Sequence, residues 1–182
     1  IRFVLDCDDP RRGRTRLRRR GGLEYRHNRS SFAGGTVGLG EGCQYAGGLV
    51  GTNYGTIGNS YATGDVIAGL YETAGGGLIG WDGNGEDDSR ANDSYSTGTV
   101  KGEYLGGFVG YADSGRFKNC DWDTKTSGIA SGSGFGNGSG ITGLTSHQLR
   151  SGLPKGFDSA IWAQDNKINN GFPYLIANPP RK

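Results

Sequence analysis

Apolar side chains enter this chain in short bursts, each framed by glycine or a small polar residue. Ser31, Ser60 and Ser94 open three versions of one phrase, in which an aromatic ring (Phe32, Tyr61, Tyr95) is followed five residues later by valine (Val37, Val66, Val100). A second phrase alternates with the first. It reads Gly47, Gly48, Leu49, Val50, Gly51, then Gly76, Gly77, Leu78, Ile79, Gly80, then Gly106, Gly107, Phe108, Val109, Gly110. Ser31 and Ser60 are 29 residues apart, as are Gly47 and Gly76, while Gly76 and Gly106 are 30 apart. Short apolar bursts between glycines predict short strands joined by tight turns. A recurring unit of about thirty residues predicts stacked repeats in place of a globular enzyme core.

If successive repeats pair as parallel strands, Phe32, Tyr61 and Tyr95 lie about 4.7 Å above one another, and Val37, Val66 and Val100 do the same across a turn. Gly35, Gly64 and Gly98 fall at one equivalent position, where either a positive-φ corner or close contact between coils favours glycine. Leu49, Leu78 and Phe108 form one column and Val50, Ile79 and Val109 the next. Strand alternation lets only one of these columns face inward on a straight strand, so the other is covered or sits at a bend. The expected fold is all-β, a parallel β-solenoid of three to four rungs with a small C-terminal α+β cap.

Glycine supplies 37 of the 182 residues, against about 7 per cent in an ordinary domain, which excludes a helix-rich fold. The glycines do not recur at every third position, which excludes collagen. The net charge of +2 hides an asymmetry, because ten of the 20 basic residues and only four of the 18 acids fall in residues 1–31. Residues 1–30 are therefore read as an arginine-rich leader, disordered or foreign to the fold, and nucleic-acid binding through residues 11–20 is set aside because no stacking platform or zinc ligand set accompanies the arginines. Residues 31–127 form the solenoid. Residues 128–144, rich in glycine and serine, are read as a linker or long loop. Residues 145–177 form the cap and 178–182 a tail. In the cap, Thr145 and Gln148 make a capping box. Phe157, Trp162, Phe172 and Tyr174 are expected to cluster over the last open rung. Cys7, Cys43 and Cys120 describe neither a disulfide framework nor a zinc site, and Cys120 stands where the repeats place a small residue. No apolar run reaches the roughly 20 residues of a membrane span. With no signal peptide or initiating methionine visible, the chain is expected to be part of a longer gene product.

The stretch from Gly47 to Val66 resembles the GLUG motif of large bacterial surface proteins. Among these are filamentous-haemagglutinin-like adhesins exported by two-partner secretion and the non-catalytic regions of some IgA-specific metallopeptidases. Segments around Cys120-Asp-Trp-Asp-Thr, Gly143-Leu-Thr and Asn170-Gly-Phe-Pro-Tyr-Leu175 extend the resemblance over about residues 31–177. It implies a right-handed β-solenoid, secreted or at the cell surface, acting in adhesion or display without catalytic residues. The partners it implies are neighbouring repeats of a larger parent protein, a host glycan or protein, and an outer-membrane transporter during export.

Candidate chemistry is sparse. His27 and His147 are far apart in sequence, and His147-Gln-Leu-Arg-Ser is not a zinc-protease motif. Asp121 and Asp123 flank Trp122 and point to one face of a strand, as in a polysaccharide lyase or hydrolase beside an aromatic platform. Asp82, Asn84, Glu86 and Asp88 place oxygen atoms at alternate positions, as calcium loops do, without the bidentate glutamate of an EF-hand. The preferred expectation is a non-enzymatic module of a surface adhesin without cofactor or metal. The alternatives are a β-helix polysaccharide-cleaving enzyme and a spacer of a GLUG-containing metallopeptidase.

Overall fold

The computed structural model describes residues 28–38, 44–69, 73–83 and 89–180. Its strands recur in the order the phrases predict. The first repeat supplies β1 (Asn28–Arg29), β2 (Phe32–Ala33), β3 (Val37–Gly38), β4 (Tyr45–Gly47) and β5 (Val50–Asn53). The second supplies β6 (Thr56–Gly58), β7 (Tyr61–Ala62), β8 (Val66–Ile67), β9 (Ala74–Gly76) and β10 (Ile79–Asp82). In the third, β11 (Arg90–Ser96) spans the first two positions, followed by β12 (Val100–Lys101), β13 (Tyr104–Gly106) and β14 (Val109–Ala112). Then come β15 (Arg116–Asp123), β16 (Ser133–Gly136) and β17 (Ile141–Leu144). A lone helix α1 (Ser146–Arg150) and the short strands β18 (Trp162–Ala163) and β19 (Tyr174–Leu175) complete an all-β fold.

Equivalent strands of successive repeats pair in parallel. One sheet runs β1-β6-β11-β15-β17 with β2 and β7 alongside, a second runs β16-β14-β10-β5, and two smaller ones run β12-β8-β3 and β13-β9-β4. The register is the one the phrases demand. Phe32 pairs with Tyr61 and Tyr61 with Tyr95, and Val37 pairs with Val66 and Val66 with Val100. Hydroxyls stitch one edge of this register: Ser31 N–H donates to Ser60 Oγ (3.3 Å) and Ser60 N–H to Ser94 Oγ (3.1 Å), while Ser94 Oγ donates to Asn92 O (2.7 Å). Cys120 pairs with Ser94 in this column, so it takes the small-residue position expected of it.

Both aliphatic columns of the glycine phrase turn inward: Leu78, Ile79, Phe108 and Val109 are fully covered, and Leu49 and Val50 of the first repeat are half-buried against the same core. The bend is visible in the hydrogen bonds, where Leu78 O accepts from both Leu49 and Val50, and Phe108 O from both Leu78 and Ile79. Two consecutive amides directed at one carbonyl turn the chain, so two consecutive side chains can point inward. At Gly64 and Gly98 the close-contact alternative holds. A Cβ there would lie 2.0 Å from Gly35 O and 1.8 Å from Gly64 O respectively. The positive-φ corner belongs instead to Ser30, Asn59, Asp93 and Asn119, with φ between 48° and 53°. Asn and Asp tolerate that conformation better than most residues because their short polar side chains bond locally.

Three expectations are corrected. Residues 128–144 are not a linker: β16 pairs with β14 and β17 with β15, continuing the stack. Most of their glycines reflect close packing, as at Gly134, where a Cβ would lie 2.6 Å from Gly110 O, whereas Gly128 serves a positive φ of 72° in open space. The leader does not extend to residue 30, because Asn28 and Arg29 pair with Ile57 and Gly58; residues 1–27 lie outside the described residues. The cap does not close the end of the stack. It lies along its flank, where Leu149, Phe157, Trp162, Phe172 and Leu175 form one cluster with Tyr61 and Tyr95. Tyr174 is half-buried outside that cluster, and Leu175 fills the buried place. Thr145 and Gln148 do form the capping box.

Candidate functional site

Asp121 and Asp123 share a face of β15, and that face is covered by the cap. Asp121 continues the column of Tyr61 and Tyr95 and is only 6% exposed. Its Oδ2 has no hydrogen-bond partner among the described residues, and burial pushes its carboxyl up to about 7. Asp123 is fully buried and bound on both oxygens. Oδ1 accepts from the backbone of Lys125 (2.8 Å) and Thr126 (3.2 Å), and Oδ2 accepts from Ser146 Oγ (2.6 Å). It therefore closes the turn after β15 and pins the start of α1. Trp122 between them points the other way, into the apolar core, and its indole N–H donates to Ile129 O (3.1 Å). Neither carboxylate stands beside an open aromatic platform.

Asp82, the first oxygen of the candidate calcium set, is the last residue of β10 and has no exposure. Asn53 Nδ2 donates to its Oδ1 (2.6 Å) and Ser89 Oγ to its Oδ2 (3.1 Å). Burial raises its carboxyl to about 6, against the opposing pull of those two hydrogen bonds. Asn84, Glu86 and Asp88 lie outside the described residues. Among the described residues, no group of three or more His, Cys, Asp or Glu side chains converges to hold a metal ion.

Sequence reasoning missed a second aromatic column, on the sheet that carries the glycine phrase. The residue directly after each phrase comes into register as Thr52, Trp81 and Tyr111, and Phe135 joins it from β16. Tyr111 and Phe135 stack at 4.9 Å between ring centroids. Tyr45 stacks on Trp81 at 5.2 Å, and Tyr54 meets Trp81 edge-on at 5.6 Å. The two groups adjoin, because Trp81, on which Tyr45 stacks, pairs with Tyr111; burial, then Tyr111 and Asp113, raise the Tyr45 phenol above its ordinary value. Unlike the first column, this one faces solvent: Phe135 is 54% exposed, Tyr54 42%, and Trp81, Tyr111 and Tyr45 are half-buried. It was legible in principle, since Trp81 and Tyr111 each follow the last glycine of their phrase.

Residues 42–67 match the family model of the GLUG motif. No curated protein and no solved structure matches the chain. Among the described residues, no helix is long and apolar enough to cross a membrane. The matched window holds one copy of each phrase, from β4 through β8, and its strands pair in register with copies before and after it. On that match and that register, the chain carries a GLUG motif at residues 42–67, set within a stack of like repeats.

Proposed function

We propose that this chain is a non-enzymatic scaffold module, a right-handed β-solenoid belonging to a secreted or cell-surface adhesin. Its partners would be neighbouring repeats of a larger parent protein and a glycan or protein of a host or environmental surface, with an outer-membrane transporter engaged during export. One observation carries this reading. The carboxylates best placed for hydrolysis are spent on the fold, Asp123 as a turn and helix anchor and Asp121 beneath the cap. General acid–base work needs a group within reach of substrate, and a covered face offers none. Repeats that contact chiefly their neighbours make a stiff, extendable body, which suits display better than catalysis.

The test is to incubate the full chain with acidic and neutral polysaccharides and follow reducing-end release and solution viscosity, beside an Asp121→Asn, Asp123→Asn double variant. The expected result is no release from either protein. Release by the parent that disappears in the double variant would replace the scaffold reading with an enzyme.

A further inference from the structure

The solvent-facing aromatic row is the one large apolar feature of the stack that no other part of the described chain covers. Trp81, Tyr111 and Phe135 stand in register on β10, β14 and β16, while Tyr45 from β4 and Tyr54, next after β5, pack against Trp81; from β5 to β16 the sheet spans about 14 Å at ordinary strand spacing. Tyr54 stands at 82° to Trp81 and so turns a ring face out of the stacking direction at one end. Phe135, on the last strand of its sheet, has Tyr111 against one face only. Between these two faces runs a ridge of ring edges, with the phenols of Tyr45 and Tyr111 as hydroxyl donors and acceptors.

Three features choose among occupants. Five rings that would each bury about 150–250 Å², already half covered, leave on the order of 500 Å² to offer. A stable protein interface needs about 800 Å² from each partner, so a second copy or a folded partner is poorly matched. The row is narrow and long, the shape of a linear polymer. Asp113 follows directly on β14, its N–H donating to Asp82 O at the end of β10 (3.0 Å), and its carboxylate is felt at the Tyr45 phenol, so like charge repels an anionic chain.

We infer that this row binds a linear, uncharged polysaccharide, whose sugar units lay their apolar faces on Tyr54 and Phe135 and their hydroxyl rims along the phenols between. The inference rests on the scaffold reading above and supplies its ligand class. Apolar ring faces with hydroxyl-bearing edges match this pattern of surfaces, as aromatic side chains do wherever one end of a ligand is apolar and the other wet.

Affinity electrophoresis of the full chain through gels containing hydroxyethylcellulose, xylan or galactomannan, with carboxymethylcellulose as the charged counterpart, tests it. Retardation is expected in at least one neutral polymer and should be at least tenfold weaker in carboxymethylcellulose. Trp81→Ala and Tyr111→Ala should each abolish it without changing the far-UV circular dichroism. Trp122 and Trp162 are buried, so bound polymer should also shield the remaining, accessible tryptophan fluorescence from acrylamide. Retardation in none of the three neutral polymers, or equal retardation of parent and both variants, overturns the inference and leaves the scaffold reading standing. Sedimentation showing a dimer that dissociates in Trp81→Ala overturns it in favour of a second copy. Polymer shortening during the run, by contrast, would sink the scaffold reading itself.

Discussion

Two aromatic columns are built by the same rule and end in opposite environments. Phe32, Tyr61 and Tyr95 stack at 5.1 Å with near-parallel rings, and Thr52, Trp81, Tyr111 and Phe135 come into register on another sheet. The first is roofed by the cap. Trp162 tilts against both tyrosines and donates its indole N–H to Asn59 Oδ1 (3.2 Å), while Tyr95 Oη donates to Pro173 O and accepts from Asn169 Nδ2 (2.8 Å). The second has no such roof. Repetition sets the spacing of a column, and whatever lies beside the stack decides whether that column acts as core or as surface.

The contrast can be broken most directly at Tyr95. Replacing it by alanine removes a fully buried ring and its hydrogen bonds to the cap, and should cost about 3–5 kcal/mol, read by urea unfolding with Trp162 fluorescence reporting loss of the cap first. An unchanged midpoint would mean that the roof contributes nothing to stability.

Asp121 sharpens the contrast with pH. Burial lifts its folded-state value to about 7 and that of Asp82 to about 6. Their contribution is thus fully present near the unfolded carboxylate value of about 4 and is lost as pH rises towards 7. The urea midpoint should fall between pH 4 and pH 7 and level off above. Asp121→Asn should raise stability at pH 8, by no more than about 4 kcal/mol, and flatten most of that slope. A midpoint that rises over this range would contradict the covered geometry of the column.

Asn59 joins corner and cap. Asn59→Ala forces an ordinary side chain into a positive-φ corner and strands the Trp162 indole, a loss of about 1–2 kcal/mol, whereas Asn59→Gly should recover the backbone part only. The smallest effect belongs to the open column. Trp81→Ala forfeits stacking worth about 1 kcal/mol or less, so its melting temperature should stay close to the parent's while that of Tyr95→Ala does not.

Much of the fold was legible. The alternating phrases gave the strand order and the pairing of Phe32 with Tyr61 and Tyr95, because parallel stacking forces equivalent residues into register. The capping box was legible because it is local. What misled was glycine between 128 and 144, where abundance suggested flexibility and the cause was backbone packed against backbone, as at Gly134 and Gly110. The candidate carboxylates were legible only in part: Asp121 and Asp123 do share a face, as alternation predicted, yet sequence carries no sign that residues 149–175 fold back over it.

The sequence by itself determined the repeat, its register and the residue types in each column, since all three follow from spacing along the chain and the fixed distance between paired strands. Tertiary structure alone decided which column is interior. Burial depends on segments that return from far along the chain, as Trp162 does to Asn59 across 103 residues, and no local pattern encodes that return.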